Sequence, residues 1–336
     1  MMDFIEKLRR LSLKQIISGL FIASLISLLV YLYISSVQGP NKPANLWEVQ
    51  SIDTMKYSRD LAREKLNEAT FDEEIDYQVS NIKEMGASHV ALGTPYDDEF
   101  IPYLERWVNT ARKYRLKVWF RGNFSGWEQW FNYEGITPEK HQELIETFII
   151  NNPQLFQDGD IFSPCTECEN GVLGDPRLTG NVNDYKIFLV EEYDIANTAF
   201  DRIEKDVTVN FPMNGDVAEL IMDKRMTQNL GGVVVVDHYV ERPEQLAEDV
   251  RHYAKLSGGK VILGEIGVYI PGIHPQMNDF EQADWLEQAL TLLAEEEDLV
   301  GINYWVFSDG TTQLWEKDTR VKRKAADVLQ NFYKPK

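Results

Sequence analysis

The chain of 336 residues has only two cysteines and five histidines. A structural zinc site needs four ligands, and no second Cys or His pair stands at the usual spacing, so the sequence offers no metal site. It has no G-x-G-x-x-G turn after its first strand-like run and no P-loop, which removes the phosphate cradle of a doubly wound nucleotide-binding sheet. Basic residues are scarce. Lys and Arg number 34 against 54 Asp and Glu, a formal net charge of −20. Such a chain repels phosphates, which excludes nucleic acid as a partner, and it argues equally against an acidic polymer as the main substrate. Internal repeats and low-complexity tracts are also missing. A neutral ligand fits this balance best.

Charge is absent altogether from Gln15 to Asn41, and Ile16 to Ile34 is almost wholly apolar. About 20 such residues in a helix cross the hydrocarbon core of a bilayer. Lys7, Arg9, Arg10 and Lys14 precede the run and nothing basic follows until Lys42. The positive-inside rule then puts the N-terminus in the cytoplasm and the remainder outside. A cleavable signal peptide is the rival reading, but its apolar region is shorter, roughly 7–15 residues. The expected organisation is a cytoplasmic tail over 1–15, a single-pass transmembrane anchor over 16–36, a Ser-, Gly- and Pro-containing linker over 37–45, and one extracytoplasmic domain over 46–336. The tail and anchor hold four basic and two acidic residues, so the domain beyond them is more acidic than the whole.

Within that domain, short β-rich runs alternate with amphipathic stretches. The runs are Leu46–Ile52, Ala87–Gly93, Leu116–Gly122, Asp160–Glu167, Val207–Phe211, Gly232–Tyr239, Lys260–Ile266 and Val300–Val306. Most are rich in Val, Ile, Leu, Phe and Trp, as buried parallel strands are. Helix signals fall between them. Thr70 and Gly86 bracket Phe71–Met85, Thr137-Pro138 and Arg242-Pro243 open helices with Pro at the first position, and Ser257-Gly258-Gly259 closes one. Strands and helices in this alternation predict a single (β/α)₈ barrel.

A barrel of this kind does its chemistry at the C-terminal ends of its strands. Reading those ends in order yields Asp53; Arg121 and Trp127; Glu167 and Glu169; Asn210; His238 and Tyr239; Glu265; and Asn303, Trp305 and Asp309. Planar aromatics stack on pyranose faces, while amides and carboxylates bind hydroxyls. Glu265, in Val261-Ile-Leu-Gly-Glu265-Ile-Gly267, is the sharpest signal. An apolar strand gives little reason for a carboxylate, and the flanking Gly264 and Gly267 suggest close backbone approach. Glu167 lies in Ser163-Pro-Cys-Thr-Glu167-Cys-Glu169. Alternation from Ile161 through Ser163 and Cys165 selects Glu167 over Glu169. A redox C-x-x-C belongs at a helix N-terminus that is not evident here, so Cys165 and Cys168 are expected simply to shape the rim of a pocket. Two carboxylates at one mouth are what glycoside hydrolysis requires, one holding a proton for the leaving oxygen and one meeting the oxocarbenium-like carbon.

The arrangement resembles the large clan of retaining glycoside hydrolases with (β/α)₈ barrels, whose catalytic glutamates end strands four and seven. Val261–Val268 is similar to the clan's strand-seven nucleophile motif, Gly301-Ile-Asn-Tyr-Trp305 to its strand-eight motif, and Val235-Val-Asp-His-Tyr239 to its strand-six segment. The clan usually shows Asn-Glu at strand four, where Thr166-Glu167 stands here, and its strand-two Arg is missing, with Arg121 on strand three as the substitute. The resemblance implies Glu265 as nucleophile and Glu167 as acid/base. It implies Arg121, Trp127, His238, Tyr239 and Trp305 around the sugar, no metal and no cofactor, and a β-linked oligo- or polysaccharide as substrate. The competing expectation is an inactive barrel that binds carbohydrate beside a polysaccharide synthesis or export system.

Overall fold

The computed structural model describes residues 45–54, 59–122, 124, 134–171 and 173–334. The expected tail and anchor, and the linker up to Ala44, lie outside the described residues. Among the described residues, no helix is long and apolar enough to cross a membrane.

Among the described residues, nine strand segments form one parallel sheet: β1 (Val49–Asp53), β2 (His89–Leu92), β3 (Lys117–Phe120), β4 (Ile161–Phe162), β5 (Thr208–Val209), β6 (Pro212–Asn214), β7 (Val233–Asp237), β8 (Lys260–Ile266) and β9 (Leu299–Tyr304). Their order is β5-β4-β3-β2-β1-β9-β8-β7-β6. β5 and β6 are two halves of one extended stretch. The first half pairs with β4 and the second with β7, so the sheet returns on itself in a barrel-like ring. Pro212, which has no N–H to give, stands at the break.

Both faces of these strands are buried, which is why their sequences read as near-continuous apolar runs. Val49, Ala91, Trp119, Ile161, Val235 and Ile262 meet in a small cluster inside the ring. Ile52, Val90, Val118, Phe120, Phe162, Val234, Val236 and Leu263 face the other way, into the core beneath the helices. Helix Pro243–Ser257 shows the pairing of sequence and packing. Pro243 opens it, Gly258 at φ +61° closes it, and Leu246, Ala247, Val250, Tyr253 and Ala254 form its buried face. Helix Asp279–Leu293 starts with a capping box between Asn278 and Glu281, a device worth about 1 kcal/mol.

Three strand expectations need correction. The first strand begins at Val49 rather than Leu46, because the Gln50 side chain accepts the Leu46 and Trp47 N–H groups that would have joined the ladder. The fourth ends at Phe162 rather than Glu167, since Pro164 cannot donate a rung. The fifth, expected over Val207–Phe211, is the broken stretch described above. Helix Val182–Arg202 was not singled out in the sequence, although its buried Tyr185, Phe188, Leu189, Glu192, Ala196 and Ala199 keep helical spacing.

Candidate active site

The inward positions of successive strands change from apolar to polar as the mouth is approached. On β7 the inward series is Val233 and Val235, then Asp237, and Tyr239 just past the strand; on β3 it runs from Trp119 to Arg121. Asp53 ends β1, and Asn303, level with Ser51, stands on β9. All four of these polar side chains, Asp53, Arg121, Asp237 and Asn303, are buried. Period-two alternation also decides the fate of His238, which lies between two inward residues and therefore faces outward. Its Nε2 pairs with Asp249 Oδ2 at 2.8 Å on the helix behind.

Glu265 breaks that alternation. Val236 pairs with Leu263 but Asp237 pairs with Glu265, so Gly264 is an extra residue in β8. The bulge turns Glu265 into the mouth, where regular alternation would have sent it with Leu263 toward the helices. Only glycine fits at 264, since a Cβ there would lie 2.4 Å from Asp237 Oδ1. Glu265 Oε1 accepts from Arg121 Nη2 at 2.8 Å and Oε2 accepts from the Tyr239 hydroxyl at 2.7 Å. Burial and the Glu265 charge push the Tyr239 phenol well above its ordinary value, so it remains a donor.

Arg121 is the hub. Its Nη1 donates to the Gly264 carbonyl at 2.8 Å and its Nη2 also reaches Asp237 Oδ2 at 3.1 Å, while Nε lies 3.6 Å from Asp53 Oδ2. Asn303 Nδ2 donates to the same Gly264 carbonyl at 2.9 Å. Burial works against the guanidinium, but Asp237, Glu265 and Asp53 outweigh it and raise its pKa further. Burial raises Asp53 to about 7, with Arg121 opposing and Glu265 adding to the rise. It raises Asp237 well above the carboxylate range, again against Arg121.

Glu167 is held differently. It has left the sheet and sits in the left-handed region at φ +50°, ψ +55°, a conformation that costs a non-glycine residue about 1–3 kcal/mol. Its N–H donates to Pro212 O at 2.9 Å, its carbonyl accepts from Asn170 N–H at 2.9 Å, and Asn170 Nδ2 reaches Oε2 at 3.3 Å. Cys165 and Cys168, expected as separate rim residues, are joined in a disulfide around it. Burial first, then the charges of Glu265, Asp237 and Glu169, raise the Glu167 carboxyl well above its ordinary value, with Arg121 opposing. Glu169 is turned elsewhere. Its Oε1 accepts from Asn214 N–H at 2.7 Å and its Oε2 from Tyr185 at 3.3 Å.

The structure thus brings Glu265, Arg121 and Tyr239 into direct contact and sets Glu167 within reach of their charges. Trp305 is half-buried at the end of β9, its ring 6.4 Å from that of Tyr239 and near-perpendicular to it. His238 is engaged away from the mouth, and Trp127 lies outside the described residues. Asp237 is the participant that sequence reading missed. The alternation Val235, Asp237, Tyr239 puts it on the inward face, but only its contact with Arg121 gives it a part in the site. A surface hollow of about 400 Å³ lined by Asp158, Asp201, Glu204 and Asp206 lies where β4 and β5 begin, at the opposite end from these carboxylates.

No family model matches the sequence, and no curated protein matches it either. Solved structures share the fold. A β-D-glucuronidase from Dictyoglomus thermophilum aligns with a TM-score of 0.55 at 15% identity, over 85% of this chain and 50% of its own. A GH5_18 variant from Bifidobacterium longum, solved in complex with Manb1-4GlcNAc, gives 0.65 at 11% identity over 85% and 78%. Native xylanase 10B from Thermotoga maritima gives 0.59 at 10% identity over 86% and 95%. The chain spans about half the length of the glucuronidase. At these identities the likeness establishes the barrel fold.

Proposed function

We propose that the chain is a retaining glycoside hydrolase in which Glu265 is the nucleophile and Glu167 the acid/base. The observation that carries this reading is the unequal treatment of the two carboxylates. Both oxygens of Glu265 are fixed by donors, Arg121 and Tyr239, whereas burial first, and the negative charge around it second, retain the proton on Glu167. In the first step Glu167 gives that proton to the leaving oxygen as Glu265 bonds to the anomeric carbon. Ester formation removes the Glu265 charge, one of the principal causes holding the proton on Glu167. Glu167, now ionised, takes a proton from water, which attacks the anomeric carbon and releases Glu265. The retaining geometry requires carboxyl groups about 5–5.5 Å apart.

The substrate of this reading is a neutral β-linked glycan with a sugar stacked on Trp305. Three carboxylates already engage Arg121, which leaves it poorly placed to bind a uronate. Residues 16–36 hold the domain at the extracytoplasmic face of a membrane, a reading supported by the basic tail before the uncharged run.

The test is trapping. The full chain in detergent, incubated with 2-deoxy-2-fluoro β-glycosides carrying a dinitrophenyl leaving group, should gain one sugar on the peptide containing Glu265. No adduct and no hydrolysis across a glycan panel, with binding retained, would favour the inactive carbohydrate-binding barrel.

A further inference from the structure

Glu167 owes its place to no ladder. β4 ends at Phe162, the stave beside it is broken, and the residue occupies a backbone region that side chains disfavour. Its restraints are therefore local and can be named. The Glu167 N–H donates to Pro212 O on β6, and two residues on, Glu169 Oε1 accepts from Asn214 N–H on the same strand. The pair repeats the two-residue spacing of ladder rungs, with a side chain supplying the second. The Cys165–Cys168 bridge closes the intervening loop, and both cysteines are buried. Glu169 itself is buried, which is costly for a carboxylate without a use.

We propose that Glu169 and the Cys165–Cys168 bridge are positioning residues for Glu167: together they replace the missing strand and aim its carboxyl at Glu265. This rests on the reading of Glu167 as acid/base. Glu169 acts through its bonds to Asn214 and Tyr185 and does not touch the sugar. The two devices are complementary. The bridge limits the loop's conformations, and Glu169 fixes the loop to β6.

The experiment compares the full-length wild type with Glu169→Ala, Glu169→Gln and the double variant Cys165→Ala/Cys168→Ala, after circular dichroism shows each folded. Glutamine keeps an acceptor for Asn214 and a polar partner for Tyr185, so it serves as the rescue. The first readout is turnover of aryl β-glycosides with poor and good leaving groups. Glu169→Ala and the double variant should lose roughly tenfold or more on poor leaving groups, which need the proton, and little on dinitrophenyl glycosides. Glu169→Gln should stay near the wild type. The second readout needs no activity: the carboxyl ¹³C resonance of Glu167, assigned with Glu167→Gln, is followed against pH. The groups facing it are Glu265, Asp237, Glu169 and Arg121. Glu169→Ala and Glu169→Gln remove the same charge, so the midpoint should fall in both but further in Glu169→Ala, and it should fall in the cysteine double variant, which removes no charge. Equal losses on both leaving groups, or equal midpoints in Glu169→Ala and Glu169→Gln with an unmoved one in the double variant, would overturn the proposal. A wild type that hydrolyses nothing would sink the glycosidase reading alone, and the titration would then decide the positioning role.

Discussion

The ends of β8 and β4 each deliver one glutamate to the mouth, by opposite means. Glu265 stays in the sheet. A single extra residue, Gly264, rotates it inward, and Tyr239 past the neighbouring β7 and Arg121 past the more distant β3 fix both of its oxygens. Glu167 has left the sheet and is fixed by a short loop, a disulfide and a side-chain rung from Glu169. The first arrangement distributes its restraints over several strands. The second relies on a few consecutive residues and their bonds to β6 alone. A carboxylate that must remain a strongly held acceptor suits the former, and one that must gain and lose a proton suits a loop surrounded by like charge.

Three substitutions would break or sharpen this contrast. The largest effect is expected from Glu265→Gln. It keeps the shape and removes the charge, so turnover should fall by several orders of magnitude while the melting temperature holds or rises, because Arg121 keeps Asp237 and Asp53 as partners. Steady-state kinetics with a thermal melt checks it, and near-normal turnover would remove Glu265 from the chemistry. Next is Glu167→Ala. On poor leaving groups the loss should be about 10²–10⁴-fold, while dinitrophenyl glycosides should still form the covalent intermediate. Azide should then accelerate turnover by replacing the water that the missing base no longer activates. Uniform loss across leaving groups, without azide rescue, would contradict its role.

The smallest effect concerns the sheet-held side alone. Asp53 has a folded pKa of about 7 against an ordinary 3.8. The folded state therefore binds this proton more tightly than the unfolded chain. The stability it contributes is complete below about pH 4 and is lost progressively as pH rises to about 7. Asp53→Asn cannot ionise. The stability difference between the variant and the wild type, from urea melts, should therefore grow in favour of the variant across that window. A constant difference from pH 4 to 7 would show that Asp53 does not titrate there.

Much of this was legible in the sequence where a repeating pattern carried it. The apolar runs of β2, β3, β7, β8 and β9 and the caps of the helices beginning at Pro138 and Pro243 follow from local chemistry. Glu265 stood out because a carboxylate in an apolar run is an anomaly whatever its partners. Asp237 was hidden for the opposite reason: at the end of four valines it reads as a strand terminus, and only its contact with Arg121, far away in the chain, gives it a place in the site. His238, beside it, was expected at the sugar and is turned outward by the strand's alternation.

The sequence by itself determined that strands and helices alternate, that the chain is acidic, and that carboxylates end two apolar runs, because each of these is a property of a few consecutive residues. The tertiary structure alone decided which way those carboxylates point. Glu265 faces the mouth through a mismatch of one residue between neighbouring strands, and Glu167 through bonds to a stave that begins beyond Phe211. Register between strands depends on how distant segments pack around the same interior, and no local pattern encodes it.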